Sequence, residues 1–141
     1  MDWRLGVDYL RCSPEFHHHP RYDHVLVQVS SNEGDNQCKY IFARLCFVFQ
    51  CSVDGKQYSM ALIHPYDAPP GTVNQRRDRE LHFFKLCAKP RASSEFISVE
   101  SIVRGALVAE DYGTKGHHLV VDVVDPDLWL HVKELRESNT T

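Results

Sequence analysis

The sequence predicts a mostly β protein, folded as a small bent β-barrel or sandwich in which one short C-terminal helix could also form. Two long apolar segments flank the turn pair Asp54-Gly55, and several shorter segments rich in β-branched and aromatic residues follow with turn signals between them. The 141 residues suit one domain, and their apolar content of 43% is enough for an ordinary core.

The best-defined element is a strand over residues 39–51. Its odd positions form an almost wholly apolar row while its even positions are mixed, which is typical of a strand with one face on a core. Asp54-Gly55 favours the positive φ angles of a tight hairpin turn, so residues 57–64 are predicted to return as the antiparallel partner. The apolar row consists of Ile41, Ala43, Leu45, Phe47, Phe49 and Cys51.

Shorter apolar runs predict the remaining strands. For the end of the chain two structures are compatible with the residues: Asp125 could cap a helix with Pro126 in its first position, or Leu128, Leu130 and Val132 could alternate as a strand. The predicted strands and extended pieces cover residues 24–30, 81–88, 96–97, 106–108 and 118–124, with a turn or helical piece at 99–103 and a hairpin connector at 112–116.

We expect three segments along the chain. Residues 1–37 are predicted to be irregular apart from one strand that packs on the core, residues 38–135 to form the β domain, and residues 136–141 to be a polar tail. In the first segment Pro14 and Pro20 break any helix and flank a run of three histidines, His17 to His19, which favours an exposed polar loop over a metal site.

Composition narrows the class of protein. The net charge of -3 disfavours a dedicated nucleic-acid binder, and no apolar run is long enough for a transmembrane helix. The charged N-terminus lacks the apolar centre of a secretory signal. The five cysteines are an odd number without the close pairing of zinc ligands, so we expect reduced thiols in an intracellular protein.

Catalysis has little support in the polar residues. His64 could be oriented as a base by Asp67. An alternative function, a metal-dependent nuclease or other enzyme, would use the cluster of Asp122, Asp125 and Asp127, although the last two also fit a helix N-terminus. Motifs of phosphate-binding loops, nucleophile elbows and zinc proteases do not occur in the sequence. We therefore expect no catalytic residue, metal ion or cofactor.

Contact surfaces are better supported. The loop over residues 64–80 carries Arg76, Arg77 and Arg79, and the half of the chain that follows it is acidic, a polarity that could steer an acidic partner or a phosphate backbone onto the loop. Aromatic side chains could also form a wall for a methylammonium group, with Asp67 assisting. Those expected to converge at one edge of the barrel are Tyr58, Tyr66, Phe83, Phe84 and Trp129.

The order of these segments resembles that of bromo-adjacent homology (BAH) domains. Phe42 to Leu45 (FARL) precedes the hairpin, His64 to Asp67 (HPYD) ends its second strand, and Glu95 to Leu107 (EFISVESIVRGAL) occupies the place of a BAH segment built around a serine-isoleucine pair and a glycine. The resemblance covers residues 39–110. The resemblance implies a β fold that recognises protein tails. Members of the family that bind methyl-lysine use three aromatic side chains, and Tyr66 and Trp129 match two of them loosely.

A second resemblance concerns residues 40–135. This stretch resembles a segment of functionally uncharacterised proteins of basidiomycete fungi in transposon-related neighbourhoods, through Ser93 to Leu107 and Val120 to Asp127. We expect a non-catalytic interaction module that is associated with chromatin or with transposons. Its expected location is the nucleus in preference to the cytoplasm. Its partner would be a protein or histone-like tail, or less readily a nucleic acid at the basic loop. The expected contact residues are Tyr66, Asp67, Arg76, Arg77, Arg79 and Trp129.

Overall fold

A computed structural model describes residues 7–30, 39–67, 84–122 and 126–138. The protein is mostly β with a helix near its C-terminus, which confirms the predicted fold class. The strands are β1 (Cys12–Phe16), β2 (His19–Tyr22), β3 (His24–Val29), β4 (Lys39–Val53), β5 (Lys56–Asp67), β6 (Phe84–Ala88), β7 (Glu95–Ser98), β8 (Ile102–Ala106), β9 (Val108–Glu110) and β10 (His117–Val120), and the helix is α1 (Pro126–Ser138).

The main sheet is strongly curled. Its strand order is β8-β3-β4-β5-β6-β10-β9, and β7 pairs with a separate part of β5. The hydrogen-bonded ladder does not close into a barrel, yet β8 and β9 stand at opposite ends of this order while only Leu107 separates them in the chain. The end of β8 and the start of β9 must therefore lie next to each other. The Leu107 carbonyl accepts a hydrogen bond from the Val121 amide just beyond β10, at 2.8 Å.

The hairpin of β4 and β5 forms around the predicted turn. Asp54 and Gly55 have φ angles of 50° and 76°, as a two-residue hairpin turn of this type requires, and Val53 pairs with Lys56. A β-bulge interrupts the ladder, because Leu45 opposes Ile63 whereas Phe47 already opposes Leu62. The bulge corrects the predicted apolar row: Leu45 is buried, but Phe47 is more than half exposed, since the extra residue moves it to the other face of the sheet.

Each face of the sheet carries a hydrophobic core, because long strands with two apolar faces bury both. The first core contains the buried side chains of Leu26, Phe42, Tyr66, Phe84, Leu86 and Val120, and α1 covers it with Leu128 and Val132. The second core contains Val25, Val27, Ala43, Leu45, Ala61 and Ile63, and the segment from β7 to β8 closes over it with Ile97, Val99 and Ile102.

The N-terminal segment departs from the prediction of irregular structure. β1 and β2 form a separate two-stranded sheet, in which Cys12 pairs with Tyr22 and Phe16 with His19. His17 and His18 form the turn with φ angles of 49° and 68°. Two strands alone are both edge strands, where proline is tolerated, so the prolines of this segment do not prevent the hairpin.

The helix α1 decides between the two structures compatible with the C-terminal segment. Residues 126–138 are helical, and Leu128 and Val132 are four residues apart and buried on the same side. The helical period places Leu130 on the solvent side, where it is exposed. Within the described part of the chain, no helix has the length and apolar character needed to cross a membrane.

Replacement of Gly55 by alanine should destabilise the hairpin, because a Cβ atom at a φ of 76° is strained although no other atom lies near it. We expect the free energy of unfolding to fall by about 1–2 kcal/mol. Urea denaturation measures this change. The control is Gly55→Asn, which tolerates positive φ and should cost less; equal losses for alanine and asparagine would contradict this account of the turn.

Candidate binding site

A group of polar side chains continues the first core beyond the part that α1 covers. Alternation along the strands places these side chains on the same face as Phe42 and Leu26. His24 on β3 pairs in register with Arg44 on β4, which pairs with His64 on β5. We call the set the polar cluster; its members are His24, Arg44, His64, Tyr66, Glu110 and His118.

The centre of the polar cluster is a hydrogen bond between His24 and Tyr66. The Nε2 atom of His24 lies 2.9 Å from the Tyr66 hydroxyl. Tyr66 is 6% exposed, and burial raises the pKa of its phenol, so the hydroxyl keeps its proton and can donate it to the imidazole. The strand register and this bond together hold His24 in a defined position.

The other histidines surround the same tyrosine ring. The ring of His118 lies 5.0 Å from that of Tyr66, and the ring of His64 lies 6.3 Å from it. The Nε2 atom of His64 is hydrogen-bonded to the carbonyl of Lys89. The Nδ1 atom of His118 is buried and has no hydrogen-bond partner within the described residues.

Burial and a nearby cation lower the pKa values of His24 and His118. Burial lowers the pKa of His24 to about 4, with further lowering by Arg44 and His118 and a smaller opposing effect of Asp23. Burial also lowers the pKa of His118, which Glu110 partly offsets. The Arg44 guanidinium lies 5.0 Å from the centre of the Tyr22 ring, so its positive charge is held beside the cluster. At neutral pH the imidazole of His24 is therefore an uncharged hydrogen-bond donor and acceptor.

A surface cavity of about 440 Å³ opens beside His24. It lies between the N-terminal segment, the β2–β3 junction, the β8–β9 link and the start of α1. Such a volume falls within the range of about 300–1,000 Å³ that is usual for ligand sites. Its polar walls are Asp8, Arg21, Asp23, His24 and Arg104, and its apolar walls include Tyr9, Leu10, Tyr22, Leu107, Val108 and Leu128.

Hydrogen bonds within the protein fix these walls. Asp8 accepts a bond of 2.8 Å from the amide of Gly105, and an added Cβ at Gly105 would lie 2.7 Å from the same carboxylate. Asp23 accepts one bond from the Arg11 amide at 2.8 Å and forms an ion pair with Arg21 at 2.9 Å. The cavity is therefore preorganised, which lowers the entropy that a ligand has to lose on binding.

The predicted contact residues are spread over different surfaces. Tyr66 lies in the polar cluster, whereas Asp67 points to the opposite face of β5 and forms an ion pair with Lys89 at 3.2 Å. Trp129 lies on the exposed side of α1, under the ammonium group of Lys133. Arg76, Arg77 and Arg79 lie outside the described residues.

Two predicted groupings are wrong. His64 and Asp67 are three residues apart on one strand, so they face opposite sides and do not form an oriented base. The aromatic side chains do not converge either: Tyr66 and Phe84 share the first core, but Tyr58 lies near the hairpin turn, about 26 Å along the strand from Tyr66 at about 3.3 Å per residue. Phe83 lies outside the described residues.

The structure describes only part of the aspartate cluster that the alternative enzyme function would use. Asp122 is buried next to the end of β10, while the side chains of Asp125 and Asp127 lie outside the description. Among the residues that the structure describes, no three histidine, cysteine or acidic side chains are grouped as a metal site would require. The histidines of residues 17–19 are exposed around their turn.

The other face of the sheet brings together residues for which the sequence had no signal. Cys87 and His117 are opposite one another on β6 and β10, with the sulfur 3.5 Å from Nε2. Beside them Lys85 and Asp111 form an ion pair of 3.2 Å, and both side chains are more than nine-tenths buried. A buried, satisfied ion pair is costly to break, which favours a structural role for it.

Comparison of the chain with family models, with curated proteins and with solved structures finds no match. The likeness to BAH domains therefore remains a prediction from the residues quoted for it, and the site has to be judged by its own chemistry.

His24 should make stability depend on pH. Its pKa is about 4 in the folded chain and about 6.5 when unfolded, so the unfolded chain binds a proton first as the pH falls. The free energy of unfolding should decrease between pH 6.5 and 4, by up to about 3 kcal/mol from this group. Urea denaturation at several pH values measures the decrease. His24→Gln should flatten the curve and the exposed-site control His19→Gln should not; equal curves for His24→Gln and the parent would contradict the assignment.

Proposed function

We propose that this chain is a non-catalytic protein-interaction module that receives side chains of a partner in the cavity beside His24. The observation that carries the proposal is the cavity itself: its volume suits part of a peptide, and its wall residues Asp8 and Asp23 are positioned by hydrogen bonds to the protein. Polar walls fixed in this way give specificity, while Tyr9 and Tyr22 offer aromatic contact area.

The electrostatics of the site favour binding over acid–base catalysis. A general base is most effective when its pKa lies near the working pH. His24, with a pKa of about 4, is therefore a poor base at neutral pH, and Tyr66, with a raised pKa, keeps its proton. The two side chains are hydrogen-bonded to each other, and of the two only His24 lines the cavity and can donate to or accept from a ligand there.

The proposed partner is a protein tail, for which a histone tail is the model. The cavity walls carry Asp8 and Asp23 together with Arg21 and Arg104, so they offer groups of both charges to such a tail. The resemblance to BAH domains supports the same class of partner and, with it, the nucleus. Contact through the arginines of residues 76–79 belongs to the proposal as well, and a nucleic acid would compete for that loop.

A binding panel tests the proposal. Labelled histone-tail peptides, methylated and unmethylated, and a DNA duplex are titrated with the protein at 50 and 200 mM salt, with fluorescence anisotropy as the measurement. We expect a tail peptide to bind with a modest salt dependence, since nucleic-acid binding through many phosphate contacts would weaken steeply over this range.

Tyr9→Ala should weaken the binding of that peptide about tenfold, the loss expected when an aromatic contact worth about 1.4 kcal/mol is removed. The matched control is Tyr112→Ala, which removes a tyrosine that is 97% exposed in the β9–β10 connection, away from the cavity walls. Equal affinities of the Tyr9→Ala variant and the parent, or binding of the duplex alone, would overturn the proposal.

A further inference from the structure

The imidazole of His24 has one nitrogen bonded to the protein and one available to the cavity. Its Nε2 atom is hydrogen-bonded to the Tyr66 hydroxyl at 2.9 Å. Its Nδ1 atom forms no hydrogen bond within the described residues, and it is not one of the buried atoms there that lack a partner, as Nδ1 of His118 is. Since His24 lines the cavity, Nδ1 is the atom that it offers to a ligand.

The bond to Tyr66 decides which nitrogen of His24 carries the hydrogen. If the phenol donates to Nε2, both groups are satisfied, and the hydrogen of the neutral imidazole lies on Nδ1. If Nε2 donated instead, the phenol would keep an O–H group without an acceptor, because the Tyr66 hydroxyl has no second hydrogen-bond partner within the described residues. Tyr66 is buried, and an unsatisfied buried donor is costly. His24 therefore offers an N–H donor to the cavity.

The charged walls of the cavity offer more donors than acceptors. Both oxygens of Asp23 and one oxygen of Asp8 already accept hydrogen bonds from the protein. Among the described residues Arg21 uses only its Nε atom, in the bond to Asp23. A guanidinium has further N–H groups on its two terminal nitrogens, and those of Arg21 remain for a ligand.

Contacts with the protein hold these donors in place. Asp23 binds Arg21 at 2.9 Å, and the guanidinium carbon of Arg21 lies 5.0 Å from the centre of the Phe16 ring. Arg104 brings a second guanidinium to the cavity, and its Nε atom donates to the Gly105 carbonyl at 3.2 Å. Donors held in this way are preorganised for an acceptor, which reduces the entropy lost on binding.

The charge of the walls favours a ligand with a single negative charge. The described walls hold two arginines and two aspartates, and His24, with a pKa of about 4, is neutral at pH 7. A dianion such as a phosphate monoester would face both carboxylates as well as the two cations. A carboxylate carries one charge, and its two oxygens match the parallel N–H groups of a guanidinium.

We propose that this cavity binds a carboxylate of a partner peptide, which accepts hydrogen bonds from Nδ1 of His24 and from the guanidinium of Arg21. The inference rests on the proposed function, because it names the group of the tail that enters the cavity. A tail has two sources of a carboxylate, its C-terminus and an acidic side chain. The second oxygen of Asp8, which accepts no hydrogen bond within the described residues, suits the amide N–H beside either group.

Nitrogen NMR tests the donor directly. In protein labelled with ¹⁵N-histidine, correlation of the ring nitrogens with the ring protons at pH 7.5 shows which nitrogen of each neutral imidazole carries hydrogen. We expect hydrogen on Nδ1 of His24, and loss of this single form in the Tyr66→Phe variant, which lacks the bond to Nε2. Hydrogen on Nε2 of His24 in the parent protein would overturn the inference.

Small probes test the ligand without a known partner. N-acetylglycine represents a peptide C-terminus, and the α-amide of N-acetylaspartate represents an acidic side chain. The uncharged N-acetylglycinamide and inorganic phosphate are the comparison ligands, and all four are titrated at constant ionic strength while the NMR signals of the His24 ring and the Arg21 side chain are followed. We expect at least one carboxylate to bind about fivefold or more tightly than either comparison ligand. The tighter of the two carboxylates identifies the source.

Two substitutions each remove one donor. His24→Gln reaches the position of Nε2, where it can keep the bond to Tyr66, but it has no N–H group in place of Nδ1. Arg21→Gln removes the guanidinium from a side chain that is 41% exposed, so the fold should tolerate it. We expect each to weaken the binding of the tighter carboxylate about fivefold or more. The matched control Arg91→Gln removes an exposed arginine that is not part of the cavity walls and should leave the affinity unchanged.

The outcomes separate this inference from the proposed function. The inference is overturned if neither carboxylate binds, if N-acetylglycinamide or phosphate binds as tightly, or if both variants keep the parent affinity, even when tail peptides bind. If His24→Gln does not unfold cooperatively, Arg21→Gln alone decides. Carboxylate binding that depends on His24 and Arg21, in a protein that binds no tail peptide, would confirm the ligand chemistry of the cavity and overturn the proposed partner.

Discussion

The curl of the sheet depends on the one-residue link between β8 and β9. β8 pairs with β3 and β9 with β10, at opposite ends of the strand order, and only Leu107 separates them. A flat sheet of this order would require the link to span several strands at about 4.8 Å each, which one residue cannot do. The sheet is therefore wrapped around its first core, and β3 and β10 are brought close to each other.

The polar cluster follows from this curl of the sheet. His24 comes from β3, Tyr66 from β5 and His118 from β10, and their side chains meet because the curled sheet directs them into the same space. At the end that α1 covers, this space is filled by aliphatic and aromatic side chains, so the imidazoles lie next to a dry core. That proximity is the reason for the low pKa of His24, whose neutral imidazole lies near the guanidinium of Arg44 within the cluster.

Local sequence signals predicted the position of the β4–β5 hairpin correctly, but they assigned some of its side chains to the wrong face of the sheet. Asp54-Gly55 encodes the turn through its own φ preferences, and the turn forms where the sequence places it. The bulge at Cys46 leaves no such signal, because the apolar alternation continues through it. One additional residue in one strand moves Phe47 and Phe49 to the face opposite Leu45, so that Phe47, which the apolar row assigned to the core, is 56% exposed.

The sequence by itself determined the fold class, the central hairpin and the residues of most strands, since these depend on local periodicity and on turn residues. It placed Tyr66 in the contact region but grouped it with Asp67, which strand alternation puts on the opposite face, and with Trp129, which the helix holds elsewhere. Only the tertiary structure decided that His24, Arg44 and His118 surround Tyr66 and that a cavity opens beside His24. These residues come from strands far apart in sequence, and the curl of the sheet brings such strands together.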